Sequence, residues 1–269
     1  MKILITSDLH YEVTGPEPIR RMVAGIERED PAVVVLAGDI GNPSRLFEQC
    51  LALFVRLNCP VAVLPGNHDL WRSYDETSIL LHEELLPVIA KDCGFHWLPE
   101  APLKLEDGIA IAGNIAWYDY SARDMEAGVT EEQVAREKPQ FCNDARSIDW
   151  EFSDQEFAGR CRQQLTTQCQ ALEADPAVKT VIVVTHVPIM KGQMEWRKDD
   201  ARWNLRNAVF GHLTLGNELK EMKKLHSVIS GHTHLGLSGA VERHDGLPPI
   251  ATSVIPSDYG KPRWVTVEV

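Results

Sequence analysis

Five short apolar runs in this chain each end in a polar cluster, and that recurrence limits the available folds more than any other feature. Ile3-Leu4-Ile5-Thr6-Ser7 leads into Asp8-Leu9-His10, and Val33-Val34-Val35-Leu36-Ala37 leads into Gly38-Asp39. Val61-Ala62-Val63-Leu64 leads into Pro65-Gly66-Asn67-His68-Asp69. Val181-Ile182-Val183-Val184-Thr185 runs into His186, and Ser227-Val228-Ile229-Ser230 into Gly231-His232-Thr233-His234. A short β-branched run closed by Gly or Pro reads as a buried strand ending in a turn. Helical spacing fills the early intervals: Ile19, Met22, Val23 and Ile26 follow Pro16-Glu17-Pro18, and Leu46, Cys50, Phe54 and Leu57 follow Ser44. Strands alternating with helices give a layered α/β architecture. In such sheets, groups beyond the carboxyl ends of the strands share one crevice, so residues far apart in sequence can meet there.

The clusters hold donors of one chemical kind. Asp8, Asp39, His10, His186, His232, His234 and Asn67 form a mixed nitrogen and oxygen set larger than one tetrahedral ion needs, and large enough for two divalent metals. One carboxylate can bridge such a pair at about 3.5 to 4 Å. A single histidine is more often a satisfied structural residue, and His82, His96, His212, His226 and His244 are read that way. For the five clusters together the balance reverses, because unpaired polar groups at buried strand ends would each cost about 1 to 3 kcal/mol.

From Asp8 to His234 these motifs, in this order, resemble the calcineurin-like metallophosphoesterase family. The resemblance implies an α/β sandwich of two sheets flanked by helices, with Asp8, His10 and His234 on one metal. It implies Asn67, His186 and His232 on the second, Asp39 bridging both, and His68 facing the substrate as a proton donor or transition-state stabiliser. The implied reaction is hydrolysis of a phosphate ester by metal-bridged hydroxide attack at phosphorus. The ions implied are Mn, Fe, Zn, Ni or Co, with manganese the first to try. One position departs from the pattern. Many members carry a second Asp three residues after the bridging one, paired with the histidine matching His68; here the run is Gly38-Asp39-Ile40-Gly41-Asn42. An amide supports an imidazolium less than a carboxylate does, so His68 is expected to have a lower pKa than in Asp-containing members.

The remaining segments read as parts of one domain spanning 1–269. A helix is expected from Asp75 to Ala90. Phe95–Leu98, Leu103–Leu105 and Ile109–Ala112 read as strands of a second, partly antiparallel sheet, the last two joined by a turn at Glu106-Asp107-Gly108. Leu235–Val241, Ile250–Val254 and Trp264–Val269, with a turn at Asp245-Gly246, are expected to finish that sheet. Residues 114–176 form a partly helical cap-like insertion. In it, Ser153-Asp154-Gln155-Glu156 is a capping box opening a long helix with Phe157, Cys161, Leu165 and Leu172 on one face. Trp117-Tyr118-Asp119-Tyr120 would either stack on a base or fill core. Residues 190–210 interleave Lys191, Trp196, Arg197, Lys198, Arg202, Trp203 and Arg206, which read either as contacts to the leaving group or as a solvated surface loop.

Charge narrows the partners. Of 269 residues, 27 are Lys or Arg and 39 Asp or Glu, a formal net charge of -12. That balance opposes binding to nucleic acid or anionic membrane, while divalent ions would supply positive charge where a phosphate must sit. The substrate expected is therefore a small-molecule phosphate ester, either a diester or a monoester. A nuclease acting on a nucleic acid strand and a non-catalytic metal-binding scaffold are the alternatives. Six cysteines without Cys-x-x-Cys spacing suggest reduced thiols, and Met1-Lys2-Ile3 enters a strand at once, so a cytoplasmic protein without a membrane segment is expected.

Overall fold

The apolar runs become strands, as their β-branched content requires. The structure is a computed structural model that describes all residues except Lys198 and Asp245, so the expected turn at Asp245 and any role of Lys198 lie outside the described residues. The strands are β1 (Lys2–Thr6), β2 (Val33–Ala37), β3 (Val61–Leu64), β4 (His96–Trp97), β5 (Leu103–Lys104), β6 (Ile109–Asn114), β7 (Thr180–Thr185), β8 (Leu225–Ser230), β9 (Ser238–Val241), β10 (Ile250–Val254) and β11 (Trp264–Glu268). They form a five-stranded sheet in the order β11-β1-β2-β3-β4 and a six-stranded sheet in the order β5-β6-β7-β8-β10-β9.

The two sheets stack because their strands are apolar on both faces. Ile3, Ile5, Val33, Val35, Ile111, Ile182, Val184 and Ile229 fill the layer between the sheets. Their neighbours Leu4, Val34, Leu36, Val183 and Val228 point outward to a second apolar layer shared with the helices. Pro16–Glu29 presents Ile19, Met22, Val23 and Ile26 to that layer, and Ser44–Leu51 presents Phe47, Cys50 and Leu51. Each fully buried aliphatic side chain contributes roughly 1.5 to 3 kcal/mol.

Two strands sit in the other sheet from the one expected. The sequence pattern puts Phe95–Leu98 in the second sheet, but β4 lies parallel to β3 in the first, with Ala62 opposite His96 and Val63 opposite Trp97. It puts Trp264–Val269 there too, yet β11 pairs antiparallel with β1 along its full length, from Lys2 opposite Glu268 to Thr6 opposite Trp264. Strand pairing is a long-range choice that a run's own composition does not encode. The β5–β6 hairpin does form, with Asp107 at φ 60° in its turn.

The stretch 114–176 packs its long helix against β6, and its buried residues join the same apolar layer as the helices of the first sheet. Asp154–Ala174 is a long helix opened by the Ser153–Glu156 capping box, and its residues Phe157, Cys161, Leu165 and Leu172 are buried. Trp117, Tyr118 and Tyr120 are buried as well, so these aromatics fill core and are not a base-stacking platform. Asp154 gathers them: Trp117 Nε1 donates to its Oδ1 at 2.9 Å, Lys138 Nζ at 2.8 Å, and Tyr120 OH to its Oδ2. A half-buried carboxylate with these donors ties the aromatics to the start of the long helix.

Candidate metal centre

All five polar clusters lie at the carboxyl ends of β1, β2, β3, β7 and β8, so both sheets contribute to one site. The chain turns sharply there. Asp8, His10, Asp39, His232 and His234 have φ of 54°, 40°, 52°, 70° and 58°, a region that side chains other than glycine rarely occupy. Such strain persists only where the surroundings over-determine it, and it concentrates at functional sites. Asp8 N donates to Gly38 O at 3.0 Å, His10 N to Asp39 O at 2.9 Å, and Gly231 N to His186 O at 3.0 Å. A Cβ on Gly66 would collide with Asp39 Oδ1, which explains the glycine before Asn67. Asp69, buried beneath, accepts from Ile40 N at 2.8 Å, Gly41 N at 2.9 Å and Gly66 N at 2.8 Å, binding the turn after β2 to the turn after β3. Burial and the nearby Asp39 charge push its pKa up to about 7 against those donors.

The side chains converge as the sequence predicts. Asp39 faces two ways, with Oδ2 3.5 Å from His10 Nε2 and Oδ1 3.3 Å from His186 Nε2. On one side Asp8, His10 and His234 bring ligand-capable atoms within 4.8 Å of one another, as do Asp8, Asp39 and His186. His234 Nε2 stands 3.1 Å from Asp8 Oδ1. On the other side Asn67 Oδ1 is 3.0 Å from both His186 Nε2 and His232 Nδ1. The remaining nitrogens of those rings meet carbonyls, His186 Nδ1 at Ala37 O (2.9 Å) and His232 Nε2 at Val209 O (3.1 Å). A carbonyl accepts from a ring N–H, which leaves the inward nitrogen of each ring as a lone pair for a cation.

Charge and orphaned atoms fit a metal. Both ring nitrogens of His10 are buried without a hydrogen bond, with carboxylate oxygens of Glu12 and Asp39 at 3.4 and 3.5 Å. Burial opposes a charged His10, but Glu12, Asp39 and Asp8 outweigh it and raise its pKa to about 9. His186 is raised to about 9 as well, burial again being overcome by Asp39 and Asp8. His232 drops to about 4 through burial and the neighbouring His186. Although burial opposes it, Asp39 is held well below its usual range by His186, His68 and His10. Buried carboxylates and imidazoles at this density are balanced by cations, here protons or metal ions.

His68 lies at the rim. Its backbone N donates to Asp39 Oδ1 at 2.9 Å, and its ring lies 4.7 Å from that of His10. The ring stacks on Trp71 at 3.7 Å, and its pKa is lowered chiefly by burial. Asn42 is not its partner: Asn42 Nδ2 donates to Trp71 O at 2.7 Å, so the amide braces the loop that carries the stacking indole.

Several cleft residues were not anticipated. Asp144, deep in the insertion, accepts from Asn67 Nδ2 at 2.9 Å, Trp71 Nε1 at 2.7 Å and Tyr118 OH at 3.0 Å. Phe141, Phe210 and Tyr259 also line the cleft, which encloses about 160 Å³. No periodicity or motif marks any of these, since each reaches the site through tertiary folding alone. The basic segment after His186 behaves differently from one of its two readings. Lys191, Trp196 and Arg197 line a cavity of about 600 Å³ against residues 121–127, and no Lys or Arg lines the metal cleft among the described residues.

Known proteins place this architecture. A family model for the calcineurin-like phosphoesterases matches residues 1–236. No curated protein matches the sequence significantly. Among solved structures, a phosphopantetheinyl hydrolase from Mycobacterium tuberculosis is similar at 19% identity, covering 98% of this chain and 95% of that one with a TM-score of 0.69. A dimetal phosphatase from Danio rerio is similar at 16% identity, covering 99% and 91%, with a TM-score of 0.59. A protein from Thermus thermophilus is similar at 15% identity, covering 96% and 90%, with a TM-score of 0.57. At these identities the likeness concerns the fold. The matched family model and the strand-end cluster together show that the chain belongs to the calcineurin-like phosphoesterase family.

Proposed function

We propose that this metal-dependent phosphoesterase hydrolyses a small phosphate ester whose leaving group is uncharged. Asp8, His10 and His234 would hold one divalent ion and Asn67, His186 and His232 the other, with Asp39 placed between the two sets. The convergence of these seven side chains, with Asp39 presenting one oxygen to each half, is the observation that carries the reading. The name of the Danio rerio neighbour, a dimetal phosphatase, supports it. Two bound divalent ions supply Lewis acidity at a phosphoryl oxygen and lower the pKa of water.

The chain's own residues do the rest. Asp39 and Asp8 would be neutralised by the ions they hold, and with no Lys or Arg lining the cleft among the described residues those ions would supply the positive charge for the phosphate. His68, set beyond Asp39 by the turn after β3, presents its ring to the leaving oxygen and to the negative charge that builds there. Trp71 holds that ring from one face. Phe141, Phe210 and Tyr259 enclose the organic part of the substrate, and among the described residues no Lys or Arg stands there to meet a second phosphate. The narrowness of the cleft and its lack of basic groups argue against a nucleic acid strand. The donor set suits manganese among several ions, and the six free cysteines suit a reducing, cytoplasmic setting. Among the described residues no helix is long and apolar enough to cross a membrane.

The test is hydrolysis of bis-p-nitrophenyl phosphate and p-nitrophenyl phosphate by protein stripped of metal and reloaded with manganese. Turnover that returns with two equivalents of metal and drops by about 10²-fold or more in His68→Ala and Asp39→Ala is expected. Equal rates in wild type and both variants would overturn the assignment.

A further inference from the structure

We infer that Asp144 is a positioning residue that dictates which end of the Asn67 amide faces the second metal, and so makes that metal's binding depend on the insertion. The inference rests on the metal reading above. An asparagine side chain offers an oxygen at one end and two N–H donors at the other, and only the oxygen can ligate a cation. Which end points inward is decided by the groups around it. Here the outer end meets the Oδ1 of Asp144 at 2.9 Å. That oxygen also takes the N–H of Trp71, so it acts as an acceptor; Nδ2 must face it and Oδ1 is turned to His186 and His232, 3.0 Å from each.

Asp144 is itself held so that it cannot turn away. It is buried, Trp71 Nε1 donates to the same Oδ1 at 2.7 Å, and Tyr118 OH donates to Oδ2 at 3.0 Å with Cys142 Sγ at 3.5 Å. Through Trp71 the same carboxylate reaches the face on which His68 stacks. Tyr118 and Asp144 both belong to the insertion, so its docking and the orientation of Asn67 form one hydrogen-bonded unit. Without that acceptor the amide is free to flip and offer N–H groups to the histidine lone pairs.

Two variants separate orientation from charge. In Asp144→Ala the acceptor is gone; in Asp144→Asn an amide oxygen can still accept from Asn67 and Trp71 while its nitrogen turns to the Tyr118 hydroxyl. Metal content would be measured by inductively coupled plasma mass spectrometry across a titration of free manganese, with circular dichroism checking the fold. Tyr120→Phe, which removes one donor to Asp154 and loosens the insertion elsewhere, controls for general destabilisation. Expected is loss of one of two metals in Asp144→Ala, its affinity falling by about 10- to 100-fold, with the other retained. Asp144→Asn and Tyr120→Phe should each keep both. Two metals held with wild-type affinity by Asp144→Ala would overturn the inference, and so would equal loss in Asp144→Asn. Failure of wild-type protein to bind two metals would instead overturn the reading beneath it.

Discussion

Asn42 shows how far a motif can mislead at the scale of one residue. Its place three residues after Asp39 invites comparison with an Asp that supports His68, yet its amide donates to the Trp71 carbonyl. Asn42→Asp is therefore expected to destabilise the fold, because it removes that donor and sets a carboxylate against a carbonyl oxygen. The loss should be about 1 to 3 kcal/mol, read as a lowered denaturation midpoint at unchanged m value. Unchanged stability would mean that the amide contributes nothing there. The candidate donors were legible because each follows a β-branched run, which fixes where in the fold its side chain emerges. Asp144 was not, because a carboxylate between Asn143 and Ala145 has no local pattern to distinguish it from any surface Asp. Its burial comes from Tyr118 and Trp71, residues separated from it by 26 and 73 positions.

At the scale of the element, the helix expected over Asp75–Ala90 forms, but as Ser78–Leu80, a widened π turn over Leu81–Leu85, and Leu86–Asp92. Pro87 lacks the N–H that an unbroken α-helix needs, and the extra residue in the turn absorbs the break. The shift in phase keeps Leu81, Leu86 and Ala90 all facing the core. It also turns His82 inward, where its ring lies 5.1 Å from Phe157 and its Nδ1 has no hydrogen-bond partner. Burial lowers its pKa from 6.5 to about 4. As pH falls below 6.5 the unfolded chain takes up this proton while the folded chain resists until about pH 4, so stability is lost across that window. Relative to wild type, His82→Leu should flatten the decline of melting temperature between those pH values, by the equivalent of roughly 2 to 3 kcal/mol. Parallel curves for the two proteins would refute it. The helical spacing was legible in the sequence; the widened turn was not, since a Pro inside an apolar pattern reads equally as a helix end.

Across the whole molecule, the site is a seam between sheets. Asp8, His10, Asp39, Asn67 and His68 extend from the first sheet, and His186, His232 and His234 from the second. Metals that bind the folded chain alone would tie the two sheets together, and chelation should release that restraint. Differential scanning calorimetry of metal-loaded against chelator-treated protein should show a lower transition for the latter, by about 5 to 10 °C if free metal stands near 100 times its dissociation constant. Identical transitions would mean that no ion binds the folded chain in preference to the unfolded one. The two-layer architecture was readable from strand runs buried on both faces, whereas the sheet to which β4 and β11 belong was not, because edge pairing is settled by which neighbours the finished core leaves open.

The pairing of β1 with β11 has a consequence for biogenesis. The strand that carries Asp8 and His10 is made well before the partner covering its outer edge, Trp264–Glu268, which leaves the ribosome more than two hundred residues later. At about 5 to 20 residues per second that interval is tens of seconds. During it the nascent chain displays an open strand edge and an incomplete set of donors, with His232 and His234 also still to come. Metal capture by the full donor set thus waits until the ends of β7 and β8 have been made, and the ions the complete site meets are those present at that stage and not during synthesis of the first sheet.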